Sequence, residues 1–193
     1  MTDSMSYIQI DAAAVKILAH PLRSRLVGQL RLQGPSTATA LAKELGTNSG
    51  ATSYHLRKLA EVGLVTDTGA GDGKTRVWAA SAESTHFAST DFDDDEDAAT
   101  AMGWLERDWL RHFTTKFGRW LDVSMNWPKP WRDIFGMNDA MILVTPEQLR
   151  AMHDELGAVI ERYRRLGQGN PDAKRVAAYV VYYPLDMDKA PRR

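Results

Sequence analysis

Between Pro21 and Leu59, leucine recurs at helical spacing in three short bursts, each bounded by glycine or proline. Leu22, Leu26 and Leu30, with Val27 alongside, form one stripe that Gly34-Pro35 ends. Ala38, Leu41 and Leu45 form a second that stops at Gly46, and Leu56, Leu59 and Gly63 form a third with Thr52. A stripe repeating every 3.6 residues specifies an amphipathic helix, and helices this short are marginal alone, so the three must pack on one another. Upstream, Asp11 is placed to cap a helix through Ala12, Val15 and Leu18. That helix stops near His20-Pro21, because the residue before proline disfavours helical backbone, and Pro21 suits the first turn of the next helix. Arg23, Arg25 and Arg31 lie off the stripe.

Asn48 is a good N-cap for the last of these helices, whose outward face carries Gly50, Tyr54, Arg57, Lys58 and Glu61, with Ser53 and His55 on its flanks. A helix, a tight turn and a second helix that offers Tyr, Arg and Lys outward is the geometry that lays a recognition helix in the major groove of DNA. The continuation strengthens the reading. Leu64 to Thr68 and Lys74 to Trp78 read as two strands around a tip of glycines at 69, 71 and 73. A hairpin directly after a recognition helix is a wing, and Lys74 and Arg76 alternate onto one of its faces, where they meet phosphates or a minor groove. Arg57 and Lys58 are expected on phosphates at least as often as on bases, since more than half of protein–DNA hydrogen bonds go to the backbone. At Gly50 the missing side chain permits close approach of the helix backbone to DNA.

These residues resemble the ArsR-type winged-helix repressors. The likeness runs from about Ala13 to Ala80 and rests on His20-Pro21-Leu22-Arg23, Leu41-Ala42-Lys43-Glu44-Leu45-Gly46, Ser53-Tyr54-His55-Leu56-Arg57-Lys58-Leu59 and Gly63-Leu64-Val65. It implies a recognition helix over Ser49 to Lys58, with Ser49, Ser53, Tyr54 and His55 approaching bases and phosphates, and it implies a homodimer. Metal-sensing relatives carry a cysteine pair in the helix matching Ala38 to Leu45, or acidic and histidine ligands in a later one. This chain has Thr39-Ala40-Leu41 there and no cysteine at all, which argues against soft-metal sensing.

The absence of cysteine removes disulfides, thiolate metal sites and iron–sulfur clusters. His20, His86, His112 and His153 have no metal-ligand spacing, so they read as ordinary residues, and no metal or cofactor is expected. No apolar run reaches membrane-spanning length and no leader pattern opens the chain, so a soluble cytoplasmic protein is expected. The net charge of -1 hides an asymmetry: residues 1–86 carry nine Lys or Arg against seven Asp or Glu, the rest fifteen against eighteen. Asp91 to Asp97, nearly all acidic, reads as a solvated linker or a frayed helix start.

Beyond the linker, Ala98 to Met125 predicts a long helix carrying Met102, Leu105, Trp109, Phe113, Phe117, Trp120 and Leu121, with Trp104 and Leu110 widening the apolar surface. One face cannot hold all of these, so the helix must bury itself against its own domain and a second copy. Trp127-Pro128-Lys129-Pro130-Trp131 predicts an extended loop. Ala140 to Val144 predicts a strand, Thr145-Pro146-Glu147-Gln148 opens a helix through Leu149, Met152, Leu156, Val159, Tyr163 and Leu166, and Val176 to Tyr183 predicts a second strand.

The expected fold is therefore α+β. A winged helix-turn-helix over residues 1–86 is followed by an acidic linker, 87–97, and a helix-strand-helix-strand dimerisation and effector domain, 98–193. Trp104, Trp109, Trp120, Trp127 and Trp131 are the candidate lining of a pocket for a small apolar effector, with core packing as the alternative. The expected function is a homodimeric repressor on an inverted repeat in duplex DNA. Its rivals are an enzyme using His112, His153 or Glu155, for which no catalytic constellation assembles, and a protein–protein adaptor with a vestigial winged helix.

Overall fold

A computed structural model describes residues 6–72, 74–188 and 190. The chain divides into two compact units, Met1–Ala140 and Met141–Arg193.

In the first unit the helices form where their caps permit. Asp11 accepts from the Ala14 amide at 2.8 Å and opens α1 (Ala12–Leu18), which buries Ala14, Val15 and Leu18. His20 then caps α2 (Pro21–Gln33) with its ring, Nδ1 accepting from the Leu22 amide at 3.1 Å. Leu26, Val27 and Leu30 face inward from α2, and Gly34, at φ 87°, ends it in a conformation that side-chain-bearing residues resist. Thr37 caps α3 (Ala38–Glu44), Gly46 makes the following turn at φ 64°, and Asn48 caps α4 (Ser49–Glu61), accepting from the Ala51 amide at 2.8 Å.

The expected wing forms as β3 (Val65–Asp67) and β4 (Val77–Ala80), antiparallel, with Val65 opposite Ala80 and Asp67 opposite Trp78. One short strand adds to it, and two others pair in a separate sheet. The strand β2 (Ser36–Thr37) pairs with the other edge of β4, while β1 (Tyr7–Gln9) runs parallel to β5 (Ser84–His86).

The acidic segment departs from expectation. Residues 89–92 form a 3-10 turn that drives Phe92 into the core, where it is 1 % exposed. The acids around it are dispersed rather than mutually repelling. Asp91 accepts from the Ala88 amide and Gln9 Nε2, and Asp95 accepts from the Ala98 amide and pairs with Lys16 Nζ at 2.8 Å. With two donors meeting each of Asp91 and Asp95, and Asp93 and Asp94 open to solvent, the run packs. Its capped successor, α5 (Glu96–Val123), buries Ala98, Met102, Leu105 and Asp108 in the same core as α1. Asp108 meets Arg25 of α2 at 3.5 Å and Arg111 at 3.2 Å, and Trp109 Nε1 donates to Ser24 Oγ. The first unit thus extends past residue 86 and contains the linker and the whole of α5.

Among the described residues every buried one lies between Ile10 and Asp108. The tryptophan-proline segment is not an extended loop: α6 (Lys129–Arg132) is a single turn, with Pro130 in the first-turn position that proline tolerates. In the second unit the capping box forms as expected, with Thr145 and Gln148 exchanging hydrogen bonds at 2.9 and 3.3 Å to open α7 (Pro146–Tyr163). Neither Ala140–Val144 nor Val176–Tyr183 is a strand. A strand exists only as one side of a ladder, and among the described residues the sheets are built from other segments. No helix among the described residues is long and apolar enough to cross a membrane.

Candidate nucleic-acid interface

The two sides of α4 differ sharply. Thr52, Leu56 and Leu59 are 0 % exposed, and the Thr52 hydroxyl donates to the Asn48 carbonyl, which removes its polarity from the core. Ser49, Gly50 and Arg57 are exposed, Tyr54 is 50 % exposed, and Ser53 is half-buried. Asn48 is exposed, but its Oδ1 is engaged in the cap, which leaves only the amide nitrogen to donate elsewhere. A Cβ added at Gly50 would meet Asn48 Oδ1 at 3.4 Å, an ordinary contact, so the fold itself does not demand glycine there.

The cations differ in availability. Arg57 and Lys74 have no acidic partner among the described residues, whereas Lys58 Nζ is held by Glu61 at 2.8 Å, a contact that raises its pKa above the ordinary lysine value. Arg76 leans back onto its own hairpin, with Nε 3.4 Å from Asp67 Oδ2 and the guanidinium 5.8 Å from the Trp78 ring centre. Its side chain is still 63 % exposed, so this weak tether orients it rather than consuming it.

The tip of the wing is built by Asp72, whose Oδ1 accepts from the Lys74 and Thr75 amides at 3.2 and 2.7 Å. Those two bonds hold the Asp72 carboxyl below its ordinary pKa. A Cβ at Gly71 would collide with the Thr75 carbonyl, so the tight tip needs that glycine.

His55 packs against His20 at the start of α2. It is half-buried, its ring lies 4.4 Å from that of His20, and its Nδ1 is buried without a partner. Sequence reading treated His20 as ordinary; nothing in a one-dimensional pattern joins the cap of α2 to a residue of α4.

The five tryptophans do not line one pocket. Trp109 packs on Phe87, and Trp104 lies under the Arg111 guanidinium. Trp120, Trp127 and Trp131 gather with Phe135 further along, beyond about three turns of α5. Their ring centres stand 5.1 to 6.2 Å apart, mostly edge to face, which is contact distance and leaves no ligand-sized gap between them. They form a small apolar cluster of their own. Of the residues weighed for catalysis, His112, His153 and Glu155 are exposed. Among the described residues no group of three His, Asp or Glu side chains is placed to hold a metal ion.

Residues 18–68 match the model of a helix-turn-helix domain, which spans α2, α3, α4 and the first strand of the wing. No curated protein matches the chain. Among solved structures, an apo form of a ZitR double mutant from Lactococcus lactis is 15 % identical, with 75 % of this chain and 83 % of that one covered at a TM-score of 0.33, a likeness too loose to carry weight. The segment 18–68 is a helix-turn-helix domain.

Proposed function

We propose that the chain is a transcriptional regulator that binds duplex DNA as a homodimer, with α4 in the major groove and the β3–β4 wing against the flanking backbone. The division of α4 carries this reading: one side is sealed into the core by Thr52, Leu56 and Leu59, while the other offers Ser49, Gly50, Ser53, Tyr54 and Arg57 on a rigid rod. Base readout falls to Ser49, Ser53 and Tyr54, with Asn48 donating from its free amide nitrogen. Arg57, Lys74 and Arg76 neutralise phosphates, and Lys58 does so only after leaving Glu61. His55 acts from behind the reading face. The dimer is supported by the apolar residues left open on the second half of α5 and just after it, Leu110, Leu121 and Met125, and by the adjoining aromatic cluster.

The test is retention of the protein on duplex DNA selected from a random pool, titrated with salt. Logarithmic affinity should fall linearly with logarithmic salt concentration, at about -0.9 per phosphate contact, and the selected sites should be inverted repeats with centres ~34 to 36 Å apart or a multiple of that. Failure to retain any duplex at low salt would leave the protein-protein adaptor reading in its place.

A further inference from the structure

His20 and His55 meet where α4 packs on the start of α2, their ring centres 4.4 Å apart and their planes 37° from parallel. Tyr54 meets His55 edge-on at 5.2 Å. His20 also has a structural task, since its Nδ1 accepts the Leu22 amide that α2 leaves unpaired at its first turn. An imidazolium has no acceptor nitrogen, so the cap exists only while that nitrogen is unprotonated. His55 Nδ1 is buried and has no hydrogen-bond partner, so no carboxylate or carbonyl at that nitrogen holds a proton on the ring.

The charges that act on the two rings are positive. Arg23 of α2 acts on both rings and is kept in place by donation from its Nε to the Ile17 carbonyl of α1. Lys58 of α4 lies in the field of Arg23 and Tyr54, with its own charge taken up by Glu61. Both histidines are held below the ordinary histidine pKa, first by burial and then by the neighbouring positive charge.

We propose that His20 and His55 form an acid-released latch: the neutral pair holds α4 on the N-terminus of α2, and a proton taken up by either ring undoes the cap or sets a cation against its neighbour. The latch stands on its own; its consequence for DNA rests on the function proposed above. In the unfolded chain the two histidines take up protons near pH ~6.5, whereas the folded pair resists. The stability contributed by the latch is therefore complete above that pH and is lost as the pH falls through the lower value of the folded pair.

The full-length protein is compared with His20→Asn, which keeps a capping acceptor but cannot titrate, and with His20→Asn/His55→Phe, which also keeps a ring against position 20. In the parent, the two imidazole signals in NMR should titrate as a coupled pair below pH ~6.5. Its thermal midpoint should fall by about 2 to 4 °C more than that of the variants on moving from about pH 7.5 to about pH 5.5. Titration at or above the ordinary value, or an equal fall in parent and variants, overturns the latch. If the double variant does not fold, His20→Asn alone supports the same comparison.

At constant ionic strength, added positive charge by itself tightens DNA binding in acid. The latch requires the opposite, a several-fold weakening in the parent at the lower pH that His20→Asn removes. Acid-tightened binding overturns the DNA consequence. Absence of DNA binding at both pH values, with the NMR and thermal results as expected, sinks the proposed function and leaves the latch standing.

Discussion

Leu56 and Arg57 are neighbours in the chain and opposite in consequence. Leu56 is fully buried, so Leu56→Ala removes contacts and leaves a cavity, at an expected cost of about 2 to 5 kcal/mol in chemical denaturation. Arg57 touches no acid, so Arg57→Ala should leave stability within about 0.5 kcal/mol while weakening DNA binding across unrelated sequences and lowering the salt slope by about 0.9 for each arginine engaged. Loss of discrimination at a single base position, with the slope intact, would make Arg57 a base reader. The buried and open sides of α4 were legible because period and burial are both local consequences of helix geometry. The fate of individual polar atoms was less so. Asn48 signals a cap by type, yet the contact of His55 with His20 depends on how α2 crosses α4, and the buried Asp108 joins α5 to α2 through Arg25 at 3.5 Å without any motif to announce it.

At the scale of elements, turn chemistry proved more readable than strand pairing. Glycine and asparagine marked the breaks at Gly34, Gly46 and Asn48, whereas Val176–Tyr183 has strand-forming composition and no strand, because composition supplies a propensity and only a neighbour supplies a ladder. The acidic run misleads for the converse reason: net charge describes the segment, while one phenylalanine within it and two nearby bond-forming acids decide its packing. In the wing, Gly71→Ala should open the tip, because the new Cβ has no room beside the Thr75 carbonyl. The core residues Leu64 and Val65 lie at the other end of the hairpin, so the thermal midpoint should barely move. The salt slope should drop by about 0.9 for each Lys74 displaced. An unchanged slope in a folded variant would remove the wing tip from the interface.

For the whole molecule, the placement of α5 changes where the chain can be cut. A fragment ending near residue 86 would lose Phe92, Met102 and Leu105 and open the core, whereas residues 1–140 retain every buried residue described. Sedimentation of that fragment beside the full chain separates the two sources of dimerisation. We expect it to self-associate through the exposed half of α5, and a strictly monomeric fragment with half the full-length salt slope would move the dimer contact to residues 141–193. The same helix sets a distance. At 28 residues it measures ~42 Å, its first turns fixed in the reading head and its last turns carrying the apolar surface assigned to the partner. It is therefore a lever whose phase is transmitted to the DNA: one alanine inserted after Thr115 turns everything beyond by ~100° and should abolish cooperative binding to the inverted repeat while each head still binds a half-site. Seven inserted residues nearly restore the phase but lengthen the lever by ~10 Å, and the preferred half-site spacing, read by selection from a pool of spacers, should lengthen with it.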